Sequence, residues 1–416
     1  MTALKHWFEK PGFVLLAIAA AYLALFFGAF RHEEPREAEH AVYQTVIDYS
    51  QSTFPPKIEL IRNHSDWGHL GYYALMGRLA KLVKGDLGWL RLMNVVFMLL
   101  AFFAFVRLGY HYTYHNRLNP LWISFGLVLF AVNPYALDSA MRLDYTGLFL
   151  FLLLAALLFF EKENLRNAAI FVAAAVLVDW RAVLLSAVFV SVRFTADSSR
   201  LIRPERGFAL MFPFLIAALP LLVWKDVVPA GEVAEAWAQL RSRTGFFRVD
   251  GLFYALVLIP LYVPWYSWSW GARARVRALT AGAIATAVFM PLYFIFPIRP
   301  DDWGAIRFSL SLPLGLMDRG ALALAGEYKN VVLFVPWLAG TFLFAQLVMR
   351  DILDQTKALR QVILLLFVIQ LFTGGLGGAA GGGPGAVGDR AFLVCVPFLI
   401  LFTLSEAMVG EEGKLI

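Results

Sequence analysis

Long apolar runs constrain this chain more than anything else in it. Stretches near 12–30, 89–107, 119–136, 143–160, 167–178, 181–195, 208–224, 251–269, 278–296, 331–349, 361–373 and 391–408 carry almost no charge. An α-helix needs roughly 20 mostly apolar residues to cross the hydrocarbon of a bilayer. In lipid no water satisfies backbone N–H and C=O groups, so each such run must bond within its own helix. The expectation is an all-α polytopic membrane protein of about 12 transmembrane helices, with residues 1–416 forming one integral membrane domain. Composition agrees: 60% of residues are hydrophobic and 16% charged, against roughly 25% charged in soluble domains. The fifth and sixth runs are short, and read as half-helices meeting at Asp179-Trp180-Arg181.

Sidedness follows from the basic residues. Lys5 and Lys10, Arg107 and Arg117, Lys162 and Arg166, the Arg193 to Arg206 group, Arg273 to Arg277, and Arg350 to Arg360 fall on alternate loops. The positive-inside rule makes those loops cytoplasmic, with both termini. The first run lacks a small-residue cleavage pattern and is followed by further spans, so it reads as a retained helix. The net charge of +6 is then largely topogenic, with anionic lipid headgroups as a partner and no nucleic acid required. The single cysteine, Cys395, excludes an intrachain disulfide.

On the outer side lies the densest charge in the chain, Glu33-Glu34-Pro35-Arg36-Glu37-Ala38-Glu39-His40, at the start of a first outer loop spanning 31–88. A charge at the bilayer centre costs roughly 2.5 to 3.5 kcal/mol, so this cluster belongs at the interface or in a polar cavity. Within the loop, Ala38, Val42, Tyr43, Val46, Ile47 and Tyr49 form one helical face opposite Glu37, His40, Gln44 and Asp48. A second amphipathic segment, 70–83, follows the Pro55-Pro56 pair; both are expected to lie along the outer surface. Other outer loops cover 225–250, 297–330 and a glycine-rich, flexible 373–390. The last lacks the Gly-Lys-Ser/Thr ending of a phosphate-binding loop.

On helical spacing Glu33 and Glu37 share a face, with Glu34 turned about 100 degrees away. A carboxylate here can serve as general base for an acceptor hydroxyl, or simply as a solvated acid at a helix N-terminus. Glu37 and Glu39 read as solvated helix residues. Asp144 opens the fourth apolar run from the same side, either as a helix cap or as a second acid aimed at the same cavity; Arg142 can pair with it. Arg181 and Arg390 can each bind a lipid phosphate or pair with the neighbouring Asp179 or Asp389. His32, His40, His64 and His69 cluster in sequence without a metal-binding His-Glu-x-x-His pattern, so no metal or other cofactor is expected.

These segments resemble a known family. Glu33-Glu34-Pro35-Arg36-Glu37-Ala38-Glu39 resembles the Asp-Glu-x-Arg-Tyr-Ala-Glu signature in the first outer loop of GT-C glycosyltransferases of the aminoarabinose transferase and protein O-mannosyltransferase type. His69-Leu70-Gly71-Tyr72-Tyr73, then Gly88-Trp89-Leu90-Arg91-Leu92, is similar to the family's His/Lys-Pro-Pro-Leu-Tyr-Tyr segment and Ala-x-Arg-Leu opening of the second span. Leu143-Asp144 and Asp389-Arg390 with Val396-Pro397 match the family's Leu-Asp and Arg-Tyr-x-x-Pro. The spacing is also similar to that of the eukaryotic glucosyltransferases that finish the lipid-linked oligosaccharide. The chain departs in having Glu33 for aspartate, Glu37 for tyrosine and no double proline before Tyr72.

The resemblance implies transfer of a sugar from a polyprenyl-phosphate donor to a lipid, glycan or protein acceptor, on the outer face and with inversion. It implies Glu33, Glu34 and Asp144 as catalytic acids, and Arg36, Asp66, His69, Tyr72, Arg181 and Arg390 as substrate-binding residues. A bacterial inner membrane with the site facing the periplasm or exterior is the expected location. The rival expectation is a transporter or a flippase for lipids or lipid-linked sugars, which predicts duplicated halves and ionisable residues deep in the spans. No clear internal repeat is present, and charge concentrates at span ends.

Overall fold

The computed structural model describes residues 9–35, 37–52, 69–115, 119–179, 182–196, 204–223, 358–373 and 387–406, with residues 280, 284 and 287. All regular structure among them is helical. In chain order the helices are α1 (Pro11–Leu25), continued by a π-turn (Phe26–Phe30), α2 (Glu37–Gln51), α3 (Leu70–Leu82), α4 (Leu87–His115), α5 (Leu121–Ala131) and α6 (Pro134–Met141). They continue with α7 (Thr146–Glu161), α8 (Leu165–Val178), α9 (Val183–Ala196), α10 (Pro204–Val223), α11 (Ala358–Thr373) and α12 (Val387–Glu406). The expected spans near 251–269 and 331–349, nearly all of 278–296, and the outer loops 225–250 and 297–330 lie outside the described residues, as does 374–386 of the glycine-rich loop.

Helix starts follow local chemistry. Pro11, Pro134 and Pro204 each occupy a first helical position, where a missing N–H costs nothing. Asp86 Oδ1 accepts from the Trp89 amide at 3.1 Å to cap α4, and Asn164 Oδ1 accepts from Asn167 at 3.2 Å to cap α8.

Among the described residues two helices, Pro11–Phe30 and Leu87–Tyr114, are by length and composition apolar enough to cross a membrane. Phe13, Leu16, Leu25 and Phe27 of the first face outward, an arrangement that suits lipid better than water. Four of the other apolar helices are shorter: α5 has 11 residues, α8 and α9 have 14, and α7 has 16. At 1.5 Å per residue these reach about 17 to 24 Å, against about 30 Å of hydrocarbon. The apolar runs overestimate helix length for identifiable reasons. Asn133-Pro134 ends α5 early, since the residue before proline avoids helical dihedrals, and the turn around Asp144 delays α7 until Thr146.

The chain divides into two compact units, one of residues 1–11, 108–135 and 246–416, the other of residues 12–107 and 136–245. In the first, α12 packs on α11 and on α5. In the second, α8 is the central element, packing against α7, α9, α10 and α3. There α1 meets α4 through an edge-on Tyr22–Phe102 contact, with ring centroids 5.4 Å apart.

Helices α2 and α3 pack on each other. A Cβ at Gly77 of α3 would lie 2.8 Å from Tyr49 Cβ and 3.0 Å from the Ser50 amide, so glycine is what lets α3 approach the α2 backbone. Gly71 does the same against α8, where a Cβ would meet the Leu177 carbonyl oxygen at 2.6 Å. The buried faces are Val46 and Tyr49 on α2, and Tyr72, Tyr73, Met76 and Ala80 on α3. Leu75 of α3 is exposed.

Candidate active site

The acidic cluster begins where α1 ends. Helix α1 finishes in a π-turn, Arg31 and His32 form a turn, and residues 33–35 are non-helical before α2 starts at Glu37. Glu33 and Glu37 therefore do not share a helical face; Pro35 separates them. Glu34 is exposed, and Glu33 is half-buried with its side chain 36% exposed.

Glu33 is held from two directions. Arg142 Nη2 donates to both of its carboxylate oxygens, at 3.0 and 3.2 Å, and Arg91 Nη1 donates to its main-chain carbonyl at 2.7 Å. The same Arg91 nitrogen donates to the Phe30 carbonyl at 2.8 Å, satisfying an acceptor at the end of the first helix. Arg142 lies over the Phe30 ring, 5.9 Å from its centroid, which adds a cation–π contact.

Both arginines converge on Glu39. Arg91 Nε and Nη2 each donate to one Glu39 oxygen at 2.7 Å, a bidentate pair with side chains 0% and 3% exposed. Arg142 Nη1 donates to Glu39 Oε2 at 3.4 Å, and the Leu143 amide to Oε1 at 3.0 Å. Burial by itself raises the Glu39 carboxyl, but the Arg91 hydrogen bond, the Leu143 amide and the two guanidinium charges outweigh it and hold the group below the usual carboxylate range. Glu39 is thus not the solvated helix residue its sequence context suggests. It shares the inward face of α2 with Val46, seven residues on, and Tyr49.

Asp138 completes the ion cluster, accepting from Arg142 Nε at 2.9 Å across one turn of α6. Burial works against the Arg142 charge, yet Glu33 and Asp138 raise its pKa further still. Among the described residues Arg91 and Arg142 thus face three carboxylates, Glu33, Glu39 and Asp138.

Asp144 is buried and caps α7. Its Oδ1 accepts from the Thr146 amide at 3.1 Å and hydroxyl at 2.9 Å, and its Oδ2 from Ser139 Oγ at 2.6 Å. Of the two expected roles for Asp144, capping is the one these contacts describe. The Arg142 guanidinium goes to Asp138, Glu39 and Glu33.

Tyr72 and His69 sit beneath and beside this turn. Tyr72 is 1% exposed; its hydroxyl donates to Asn94 Oδ1 at 3.2 Å, while Asn94 Nδ2 donates to the Arg142 carbonyl. Burial pushes the Tyr72 phenol well above its ordinary range. His69 pairs its Nδ1 with the Val178 carbonyl at 2.8 Å, and its ring stacks on Tyr145 with centroids 3.7 Å apart. A carbonyl only accepts, so Nδ1 is the donor in this contact. Arg31 lies over the rings of Phe27 and Trp89, at 5.7 and 5.9 Å.

Arg36, Asp66 and Arg181 lie outside the described residues, and Arg390 is described only as a backbone position in α12. Four residues that sequence reasoning did not assign to the site are central to it: Glu39, Arg91, Asn94 and Arg142. Arg91 had a visible signal, a lone cation at the start of an apolar span, where an ionisable group requires a partner. Among the described residues no group of three or more His, Cys, Asp or Glu side chains is arranged to hold a metal ion. No protein-family model, curated protein or solved structure matches the chain.

Proposed function

We propose that this chain is a polytopic membrane glycosyltransferase of the GT-C type, acting on the outer face of a bacterial inner membrane. It transfers a sugar from a polyprenyl phosphate to a hydroxyl of a lipid, glycan or protein, with inversion. The observation that carries this is the contact between two segments 109 residues apart: Arg142, two residues before Asp144, holds both carboxylate oxygens of Glu33. A half-exposed carboxylate, fixed in orientation at the end of an outward-facing apolar helix, suits a general base that meets a lipid-borne substrate at the membrane surface.

Each Glu33 oxygen keeps acceptor capacity beyond its Arg142 contact. An acceptor hydroxyl donates to one of them and its oxygen attacks the anomeric carbon. The bond from that carbon to the phosphate oxygen breaks, the proton passes to Glu33, and the polyprenyl phosphate leaves as an anion that needs no general acid. For the donor phosphate the candidates are the arginines that the sequence resemblance implies for substrate binding, Arg181 and Arg390, since a guanidinium can hold a phosphate bidentately.

The test is turnover of labelled polyprenyl-phosphate sugars by the purified protein, read as release of free lipid phosphate that depends on an acceptor. General-base help is worth about 10² to 10⁴-fold, so Glu33→Gln is expected to lower turnover by that factor at normal expression. Near-normal turnover of the variant removes Glu33 from the role. Binding of the donor with no turnover under any acceptor favours a flippase instead.

A further inference from the structure

From the hydrogen bonds that meet at Glu39, we infer that Glu39 is the positioning residue of the site, acting on Glu33 through both arginines. The inference rests on the glycosyltransferase reading for its chemical meaning, though not for its geometry. The contacts form a closed ring: Glu39 takes Arg91 and Arg142, Arg142 takes the Glu33 carboxylate, and Arg91 takes the Glu33 carbonyl. Main chain and side chain of one residue are thus fixed by two guanidinium groups that share one carboxylate.

Geometry makes Glu39 the member that orients the others. Arg91 is fully enclosed and its fork is bidentate to Glu39, so the plane of that carboxylate sets the direction of the Arg91 Nη1 that reaches Glu33. The remaining bond, from the Leu143 amide, ties the same carboxylate to the turn that carries Arg142 and Asp144. Glu39 touches the turn that supplies Asp144 directly and reaches Glu33 through the two arginines, yet at 3% exposure its own carboxylate does not meet substrate. A glutamine keeps the shape but presents an N–H₂ group to guanidinium donors, which cannot accept it. Arg142 and Arg91 then lose their common reference, and a misplacement of about 1 Å at Glu33 is enough to cost about 10²-fold in rate.

Two measurements on the full-length protein in detergent test this. In hydrogen exchange read by mass spectrometry, Glu39→Gln is expected to speed exchange by at least about tenfold at the Leu143 amide and across residues 31–35, with α8 unchanged. Acceleration confined to α2, or none, overturns the inference. In kinetics with a donor that the wild type turns over, Glu39→Gln is expected to lower kcat by about 10²-fold with donor KM near wild type, and E33Q/E39Q to be little slower than Glu33→Gln alone. Losses that multiply overturn it, because Glu39 would then act independently of Glu33. If Glu39→Gln does not fold, Glu39→Asp keeps the charge on a shorter arm and is expected to show the same exchange pattern with a smaller kcat loss; wild-type exchange and kcat in that variant overturn the inference equally. If the wild type turns over no polyprenyl-phosphate sugar, the proposed function falls while the exchange result still decides the role of Glu39.

Discussion

Arg91 and Glu39 form a charge pair almost sealed from solvent, and such pairs behave asymmetrically. Desolvating both ions costs much of what their attraction returns, whereas removing one partner strands the other and costs about 3 to 5 kcal/mol. Arg91→Ala is therefore expected to be far more harmful than loss of an exposed charge such as Glu34, which belongs in the range of about 0 to 1 kcal/mol. The pH dependence follows with its sign. Because the folded state holds the Glu39 carboxyl below its unfolded value of about 4.3, its contribution is complete above that value and is lost as pH falls through the lower folded value. Thermal melts of the wild type should fall more steeply than those of Glu39→Gln on acidification below about pH 4.3; parallel curves would show that Glu39 titrates alike in both states. Half of this site was legible in the residues. Glu33 stood out as a charge at a span end, and Asp144 as an acid opening an apolar helix. Glu39 did not, because a helix start rich in acids is ordinarily solvated; only its seven-residue spacing from Val46 placed it on the inward face. Its partners come from 52 and 103 residues away, and local spacing carries no information about contacts at that range.

At the scale of elements, α2 and α3 owe their position to glycines more than to their apolar stripes. Sequence pattern alone places the two amphipathic segments within a residue or two of these helices, although the apolar residues that α3 buries are Tyr72, Tyr73, Met76 and Ala80, with Leu75 exposed. It could not show that α3 faces α2 on one side and α8 on another, because an amphipathic stripe reads the same against lipid as against protein. The small side chains decide the matter. At Gly77 the nearest atoms are the Cβ of Tyr49 and the backbone of α2, neither of which can swing away, and at Gly71 they are the Leu177 backbone and Cβ. Gly77→Val is expected to cost at least about 1 to 3 kcal/mol as an overpacking change, and to loosen the C-terminal end of α2 around Tyr49, opposite the end that presents Glu39. Gly12→Val, at a position with nothing within 4 Å of its Cβ, is the matched control and should leave the melting temperature near wild type. Equal melting temperatures for the two variants would mean that α3 does not sit against α2 in the protein as isolated. The same logic explains why several apolar runs made shorter helices than expected: Asn133-Pro134 and the Asp144 cap interrupt the helix where hydropathy shows no change.

For the whole molecule, helix α7 ties the side of the membrane that carries the cluster to a simple measurement. Its N-terminal end adjoins Asp144 and, through Arg142, Glu33; its C-terminal end adjoins the exposed Lys162, with Arg166 shortly after. The positive-inside rule counts lysine and arginine alone; Lys162 and Arg166 mark the C-terminal end as inside, while Arg142 at the other end is held by Glu33, Glu39 and Asp138. The 16 residues of α7 span about 24 Å, so the two ends lie at opposite faces if the helix is placed across the bilayer with local thinning or with help from its polar flanks. Cys395 is the only cysteine and is buried, so a Cys395→Ala background gives a clean host for single reporters. In intact cells a membrane-impermeant maleimide should label Glu34→Cys, which is exposed beside the cluster, and should label Lys162→Cys only after the membrane is opened. Labelling of both from outside would put α7 on one side of the membrane. Labelling in the reverse order would turn the cluster toward the cytoplasm, where an outward-facing transfer from a polyprenyl phosphate cannot take place at Glu33.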